Sequence, residues 1–139
     1  DWLLAHNGSV DNVQYHPMAE GETDSEQIFH QLMDKMAEYQ DGGPFRGQYP
    51  ALKNAIRHIF DIYGMEINLN LLISDGYQLY VFHHHSYKSI YMLNRSKAYG
   101  DAALISTRRL TEEDWESIPA DRLLVISHGV VQVISDPLI

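Results

Sequence analysis

The order of periodic segments in this 139-residue chain predicts an α+β fold. One short apolar segment stands first, and two segments with helical periodicity follow it. The second half of the chain alternates between apolar and polar residues with a period of two. We therefore expect one strand, two helices and an antiparallel meander. No linker within residues 1–139 separates two domains, so a single domain is expected.

The first element is the apolar run of residues 2–5, which predicts a short buried strand. His6-Asn7-Gly8 is expected to end this strand, because Asn-Gly is a pair typical of turns. Residues 9–22 contain Gly, Pro, Asn and Asp without periodicity and are expected to form a loop. An apolar first strand needs neighbours on both sides, and the chain opens on it without a Met. We therefore expect a partial domain whose earlier part precedes residue 1.

Two segments have the spacing of amphipathic helices. Thr23 and Glu26 fit a capping box, so the first helix is expected to begin at residue 23 or 24 and to end near residue 40. Pro50 suits a first helical turn and Gly64 suits a C-terminal cap, which bounds the second helix. The predicted apolar faces are Ile28, Phe29, Leu32, Met33 and Met36 in the first helix, and Leu52, Ile56, Ile59, Phe60 and Tyr63 in the second.

The remaining chain predicts strands. Asp75-Gly76 indicates a two-residue hairpin, with its return strand over residues 77–84. Further strands are expected over residues 89–93, 102–107, 122–127 and 130–134, and Thr111 is expected to cap one helical turn over residues 111–116. Before the hairpin, Met65, Ile67, Leu69, Leu71 and Ile73 are expected on one face of a strand, and Glu66, Asn68 and Asn70 on the other.

The composition excludes several classes of function. The formal net charge is −9 and the ten Lys and Arg residues are scattered, so no basic patch is available for nucleic acid. No apolar run reaches the roughly 18 residues of a membrane-spanning helix, and the start of the chain lacks the basic region of a signal peptide. We expect a soluble, cytoplasmic protein with neither nucleic acid nor membrane as partner. The chain contains no cysteine, which excludes disulfides, thiolate metal sites and a cysteine nucleophile among these residues.

Asn7 and Gly8 are candidate oxyanion donors. At the end of a strand, the Asn7 side-chain amide and the Gly8 backbone N–H can point to one place, and two such donors stabilise the oxyanion formed when a carboxamide is attacked. Glycine lets the backbone approach a substrate without a Cβ. The alternative interpretation is a simple turn dipeptide.

Asp24 is a candidate binding residue for a substrate ammonium group. It stands in the first turn of the first predicted helix, where a carboxylate is accessible at one end of the element. The alternative interpretation is that it stabilises the helix dipole, an effect of about 0.3–1 kcal/mol.

Ala5-His6-Asn7-Gly8 is followed, after a spacer, by Gly21-Glu22-Thr23-Asp24-Ser25-Glu26 at the start of a helix. This order resembles the class-II glutamine amidotransferases. The resemblance continues in residues 70–76 and 103–107 and covers nearly the whole chain. It is greatest to the stand-alone branch, which includes γ-glutamyl amidohydrolases of glutathione breakdown and ergothioneine synthesis.

The resemblance implies a fold, a reaction and site residues. The fold is the four-layer αββα sandwich, with antiparallel sheets, of the N-terminal-nucleophile hydrolases, of which this chain would be the C-terminal portion. Asn7 and Gly8 match the oxyanion pair, Asp24 matches the carboxylate that binds the α-amino group of glutamine, and His6 matches a supporting substrate-binding position. Asn70 matches a family position on a strand without an assigned role. The substrate would be glutamine or a γ-glutamyl compound, and no cofactor is implied.

The chain departs from the family at its nucleophile. The family attacks with an N-terminal cysteine, whereas residue 1 is Asp and no cysteine is present. We therefore expect the parent protein to hydrolyse the amide through a cysteine carried upstream, and this chain alone to be inactive. The alternative is a non-catalytic, amidotransferase-like module that binds a ligand or partner. In either case the apolar first strand is expected to bind a missing N-terminal segment or to promote self-association.

His83-His84-His85 raises the possibility of a metal site. On a strand the first and third of these side chains share one face and the second takes the other, so the three cannot converge, and no Cys completes a zinc set. We expect no metal here and place the run at a strand end near solvent. Ser106 and Ser127 stand in apolar strands without a His and Asp spacing that predicts a catalytic triad.

Overall fold

The computed structural model describes residues 1–41, 48–85 and 88–139. Within these ranges the chain forms three helices and eight strands. In chain order they are β1 (Leu3–Ser9), α1 (Asp24–Asp41), α2 (Gln48–Tyr63), β2 (Asn68–Ser74), β3 (Leu79–His84), β4 (Tyr91–Asn94), α3 (Ser96–Tyr99), β5 (Ala103–Ser106), β6 (Glu116–Ser117), β7 (Leu123–Ser127) and β8 (Val130–Ile134).

These elements belong to two compact units. The first contains residues 1–7 and 69–137, and the second contains residues 8–68 and 138–139. Helices together with antiparallel sheets confirm the predicted α+β class. The single partial domain stays a prediction. None of the helices in the described ranges combines the length and the apolarity that a bilayer crossing requires.

Two sheets pack face to face within the first unit. A five-stranded sheet has the order β1-β2-β3-β7-β8, and a three-stranded sheet has the order β5-β4-β6. The pairs β2–β3, β3–β7, β7–β8, β4–β5 and β4–β6 are antiparallel. One apolar cluster joins the inner faces of the two sheets. Its buried members are Val81, Ile90, Ile118, Leu124 and Ile126, and Leu72, Met92 and Ile105 pack against them.

The second unit is built on α1 and α2, which pack against each other. The residues at the centre of each predicted apolar face are buried, which confirms the faces, but some residues at their edges are not. In α1, Phe29 and Met33 are only half-buried, and in α2 Tyr63 is half-buried while Ala51 and Ala55 join the buried face. The fully buried predicted residues are Ile28, Leu32, Met36, Leu52, Ile56, Ile59 and Phe60.

The ends of the helices follow the sequence signals in part. The Thr23 hydroxyl oxygen accepts a hydrogen bond from the Glu26 backbone N–H at 3.3 Å, so Thr23 caps α1 as predicted. The other predicted bond of the capping box, from the Thr23 backbone N–H to the Glu26 carboxylate, is wrong. The Glu26 carboxylate turns instead to the backbone N–H groups of Glu20 and Gly21, at 2.7 and 2.9 Å. At the end of α2, Gly64 has a φ of 79° and donates to the Phe60 carbonyl, which confirms the C-terminal cap.

The Asp75-Gly76 hairpin is confirmed, but its connection is longer than two residues. β2 ends at Ser74 and pairs across the turn with Leu79, the first residue of β3. The return strand does not begin at residue 77, because the Asp75 carboxylate accepts hydrogen bonds from the backbone N–H groups of Tyr77 and Gln78, at 2.8 and 2.7 Å. Those two groups are therefore held in the turn rather than in the ladder.

β1 differs from the prediction in its length, its end and its burial. It continues through Asn7 and Gly8 to Ser9, so the expected turn at Asn-Gly is wrong. It is also an edge of the five-stranded sheet that the described strands form, with β2 on one side. An edge strand is covered less than a central one, and Leu3 is 72% exposed. The expectation of a buried first strand is therefore also wrong.

The predicted helical turn over residues 111–116 is absent. This segment bends and leads into the short strand β6. The Thr111 hydroxyl donates to the Glu113 carboxylate at 2.7 Å and accepts from the Trp115 indole N–H at 3.0 Å, so side-chain bonds organise the segment. The short helix α3, which the sequence did not predict, precedes β5.

The exposed edge predicts self-association of the chain. Leu3 presents an apolar side chain on an edge strand, where a further strand can pair. Light scattering at increasing concentration is expected to show dimers or larger species, and Leu3→Lys is expected to shift them toward monomer. Leu110→Lys is a matched control, because Leu110 is 58% exposed but lies outside every strand. A monodisperse wild-type monomer at high concentration would contradict this prediction.

Candidate functional site

A small cavity in the first unit is lined by two of the four predicted site residues, His6 and Asn7. It has a volume of about 90 Å³ and is lined from β1, β2 and the end of β5. β1 supplies His6 and Asn7, and β2 supplies Asn70, the family position to which the sequence assigned no role. The other lining residues are Ala5, Leu72, Ile90, Ile105, Ser106 and Thr107.

The strand conformation of β1 decides how Asn7 and Gly8 are presented. Both are exposed residues of a regular strand, and neither has a positive φ. In a strand, successive side chains point to opposite faces, so the side chains of His6 and Asn7 lie on opposite faces of β1. Asn7 is one of the residues that line the cavity. His6 is half-buried and lines the same cavity. Gly8 is the first residue of the second unit, immediately after Asn7.

Asn70 and His83 form a buried polar pair across β2 and β3. They are 2% and 5% exposed, are paired in the strand register, and have their Oδ1 and Nδ1 atoms 2.7 Å apart. Burial lowers the pKa of His83, partly opposed by the charge of Asp121, so the imidazole is neutral near pH 7. The histidine run was expected at a strand end near solvent. For His83 this expectation is wrong, because the second sheet covers that part of the unit.

The other histidines of the run are separated from this pair. The His84 Nδ1 atom is 2.6 Å from the Asp121 carboxylate, while His85 lies beyond the end of β3. Burial, with the positive charges of Lys88 and His84, lowers the pKa of His85. In the part of the chain that the structure describes, no group of three or more His, Cys, Asp or Glu side chains is arranged to hold a metal ion.

Asp24 links the start of α1 to the residues that follow β1. It is the first residue of the helix and is half-buried. Its Oδ2 atom accepts a hydrogen bond from the backbone N–H of Val10 at 2.9 Å, and Val10 is 4% exposed. Val10 follows Gly8 by two residues. Within the second unit, this bond therefore fixes the backbone just after Gly8 relative to the Asp24 carboxylate.

Residues 9–22 are not a loose loop, because side chains of α1 bind their backbone. Gln27, which is 2% exposed, accepts from the His16 N–H at 2.6 Å and donates to the Gly21 carbonyl at 3.0 Å. Gln31 donates to the Gln14 carbonyl at 2.9 Å. The sequence reasoning missed these two glutamines, since a polar residue on a helix ordinarily indicates a solvent-facing position. Their bonds give the segment before Asp24 one defined path.

The His83 environment predicts a pH dependence of stability. Because the pKa of His83 is lower in the folded protein than its ordinary value of about 6.5, the unfolded chain takes up the proton first as pH falls. The stability from neutral His83 is fully present above about pH 6.5 and is lost as pH falls through the lowered pKa. Asp121 raises this pKa, and His84 and His85 lower it.

The measurement is thermal unfolding of the wild type and of His83→Asn between pH 7.5 and 5. The variant keeps an N–H near the Nδ1 position but does not titrate. The wild-type melting temperature is expected to fall more steeply below pH 6.5 than that of the variant. Parallel curves would show that His83 does not contribute to this dependence.

A family model of class-II glutamine amidotransferases matches residues 1–104, which is more than half of the chain. The chain belongs to the class-II glutamine amidotransferase family. Asn7, Gly8, Asp24 and Asn70 all lie inside the matched region of this amidotransferase-family chain. A search of curated proteins gave no match.

Two solved structures have folds similar to that of this chain. One is a predicted glutamine amidotransferase from Pseudomonas aeruginosa PA01, with a TM-score of 0.72 and 27% identity over 95% of this chain. Another is a glutamine aminotransferase class-II domain protein from Silicibacter pomeroyi, with a TM-score of 0.66 and 24% identity over 97% of this chain. The amidotransferase-family chain spans 60% of the length of the first structure and 67% of the second.

Proposed function

We propose that this chain supplies the oxyanion donors and the amine-binding carboxylate of a glutamine or γ-glutamyl amide hydrolase. In this reaction a thiolate attacks the amide carbon, and the carbonyl oxygen takes up the negative charge of the tetrahedral intermediate. The Asn7 side-chain amide and the Gly8 backbone N–H would donate to that oxygen. The observation that carries the proposal is the cavity that Asn7 lines, within a chain of this family.

Asp24 would hold the α-amino group of the substrate. An ammonium group and a half-buried carboxylate form charge-assisted hydrogen bonds, which are stronger than neutral ones. A carboxylate has about four acceptor positions, so its bond to the Val10 N–H is compatible with binding an ammonium group as well. His6 would support the site from the wall of the cavity.

The reaction needs a nucleophile that these residues do not provide. With no cysteine among the 139 residues, the attacking thiolate would come from a segment of the parent protein outside them. The bond from sulfur to the acyl carbon forms first and gives the tetrahedral intermediate. Its collapse to the thioester breaks the bond to the nitrogen, which takes up the proton that the thiol gave up and leaves as ammonia or an amine. Water then hydrolyses the thioester and restores the thiol.

This proposal predicts that the 139-residue chain binds L-glutamine without hydrolysing it. Binding is measured by calorimetric titration and hydrolysis by release of ammonia, with heat-denatured chain as the blank. We expect a saturable binding signal and no ammonia above the blank. Glutamine turnover by the purified chain would contradict the proposal that the nucleophile lies outside these residues. A lack of binding would contradict the assignment of glutamine as the substrate.

A non-catalytic, amidotransferase-like binding module is the second candidate, and the cysteine-free composition favours it. The sequence encoded upstream of Asp1 distinguishes the two candidates. A Met-Cys start followed by a loop that carries an arginine supports the hydrolase, because the arginine would bind the substrate carboxylate. An unrelated upstream sequence supports the module.

A further inference from the structure

The Asn70 side chain has one end held and one end without a partner. Its Oδ1 atom lies 2.7 Å from His83 Nδ1. Its Nδ2 atom is buried, and no atom of the described residues forms a hydrogen bond with it. A buried donor left unsatisfied costs roughly 1–3 kcal/mol, so native proteins seldom retain one unless a ligand or water uses it.

The bond to His83 defines which atom of the Asn70 amide is left without a partner. A carbonyl oxygen can only accept, so the imidazole must carry its proton on Nδ1 and donate it to Asn70 Oδ1. Burial keeps the ring neutral, and in this tautomer Nδ1 is its only donor. The Nδ2 group of Asn70 is therefore a donor with a fixed orientation.

The cavity that Asn70 lines also has apolar walls. Leu72, Ile90 and Ile105 line it, and the last two belong to or pack against the core between the sheets. Its volume of about 90 Å³ exceeds the space of a single water, for which roughly 10–15 Å³ suffices on this kind of measure. It therefore has room for a small group with one polar end and a few carbon atoms.

We propose that Asn70 is a ligand-binding residue whose Nδ2 group donates a hydrogen bond to the carbonyl oxygen of a small amide in this cavity, and that His83 is its positioning residue. The apolar walls contact the carbons next to the carbonyl. The identification of that amide with the side chain of glutamine rests on the proposed function. The carbonyl-binding role itself does not, because it follows from the cavity and the fixed donor.

The test follows the Asn70 side-chain amide by NMR in the ¹⁵N-labelled 139-residue chain. Two probes are titrated separately: N,N-dimethylformamide, which has an amide carbonyl but no N–H, and L-glutamine. The Asn94 side-chain amide is the internal control, because it donates to the Gly129 carbonyl and does not line the cavity. We expect saturable shifts of the Asn70 signals with both probes and none of the Asn94 signals.

Each outcome decides between the two proposals. Shifts with dimethylformamide alone support the carbonyl-binding site and count against glutamine as its ligand. Glutamine that binds by calorimetry but leaves Asn70 unshifted supports the proposed function and overturns the role of Asn70. Signals that respond to neither probe overturn that role, since a cavity that holds only water gives this result.

Three variants test the donor and the residue that positions it. Asn70→Asp keeps an oxygen for His83 but replaces the donor by an acceptor, so dimethylformamide affinity is expected to fall at least about tenfold. His83→Leu is expected to weaken dimethylformamide binding, whereas His83→Asn keeps an N–H near Nδ1 and is expected to restore it. Equal affinity in His83→Leu and His83→Asn would overturn the positioning role. A ¹⁵N spectrum showing a proton on Nε2 of His83 rather than on Nδ1 would overturn the donor assignment.

Discussion

Asp24→Asn is expected to weaken the binding of L-glutamine by about 10- to 100-fold, because hydrogen bonds to charged groups contribute roughly 1.5–3 kcal/mol. The variant retains an oxygen that can accept from the Val10 N–H, so the link between α1 and the segment after β1 is kept. The variant removes the negative charge and replaces one oxygen by an NH2 group, which cannot accept the hydrogen bond of the Ser25 hydroxyl. Loss of the favourable helix-dipole interaction is expected to lower the free energy of unfolding by about 0.3–1 kcal/mol, but it does not change the selectivity between ligands.

The comparison ligand is 4-carbamoylbutanoate, which is glutamine without its α-amino group. The wild-type chain is expected to prefer glutamine, and Asp24→Asn is expected to bind the two ligands about equally, as measured by calorimetric titration. Asp34→Asn is the control, since Asp34 lies on the same helix, loses the same charge and has a 70% exposed side chain. If Asp24→Asn retained the preference for glutamine, Asp24 would not be the ammonium site.

Local signals predicted the second unit well. Thr23 marks the start of α1 and Gly64 marks the end of α2. Both could be predicted because capping depends on bonds between residues close in sequence. The apolar stripes also follow from local spacing. The Glu26 carboxylate was assigned the wrong partners, because the two residues it binds approach α1 only through the path of residues 9–22.

The first unit was predicted less completely. Alternation of apolar and polar residues along a strand predicts that one face of the strand is buried, but it does not show whether the other face is covered as well. The pattern around β2 correctly buried Leu69 and Leu71, but the three-stranded sheet adds a core on the opposite face and buries Asn70 there. One signal could have shown this. Leu71, Leu72 and Ile73 are consecutive apolar residues, which indicates a strand covered on both faces.

The oxyanion candidates show the same limit. Asn-Gly is a turn signal when only neighbouring residues are considered, yet Asn7 and Gly8 continue β1, which is hydrogen-bonded to β2. Pairing between β1, which ends at Ser9, and β2, which begins at Asn68, outweighs the local preference. The resemblance to a family, rather than the dipeptide, selected these residues, and the strand places Asn7 at the cavity.

Gly129→Ala is expected to destabilise the chain by about 2–5 kcal/mol, the sum of left-handed backbone strain and overpacking. Gly129 and His128 form the two-residue turn between β7 and β8, with φ of 70° and 51°. An added Cβ would lie 2.5 Å from the Ala102 nitrogen and 2.6 Å from the Asp101 carbonyl carbon, and these backbone atoms cannot rotate away.

Gly76→Ala separates the two contributions. Gly76 also lies in a hairpin turn, with a φ of 90°, but a Cβ there would meet nothing within 4 Å. Its substitution is expected to cost only about 1–2 kcal/mol, from backbone strain alone. Urea unfolding measures the free energy of unfolding of both variants. An equal decrease in the two would show that the contact of the added Cβ with residues 101 and 102 does not destabilise the chain. Residues 101 and 102 lead directly into β5, and both its last residue, Ser106, and the following Thr107 line the cavity. Gly129→Ala is therefore also expected to reduce the saturable response of Asn70 to dimethylformamide, whereas Gly76→Ala is not.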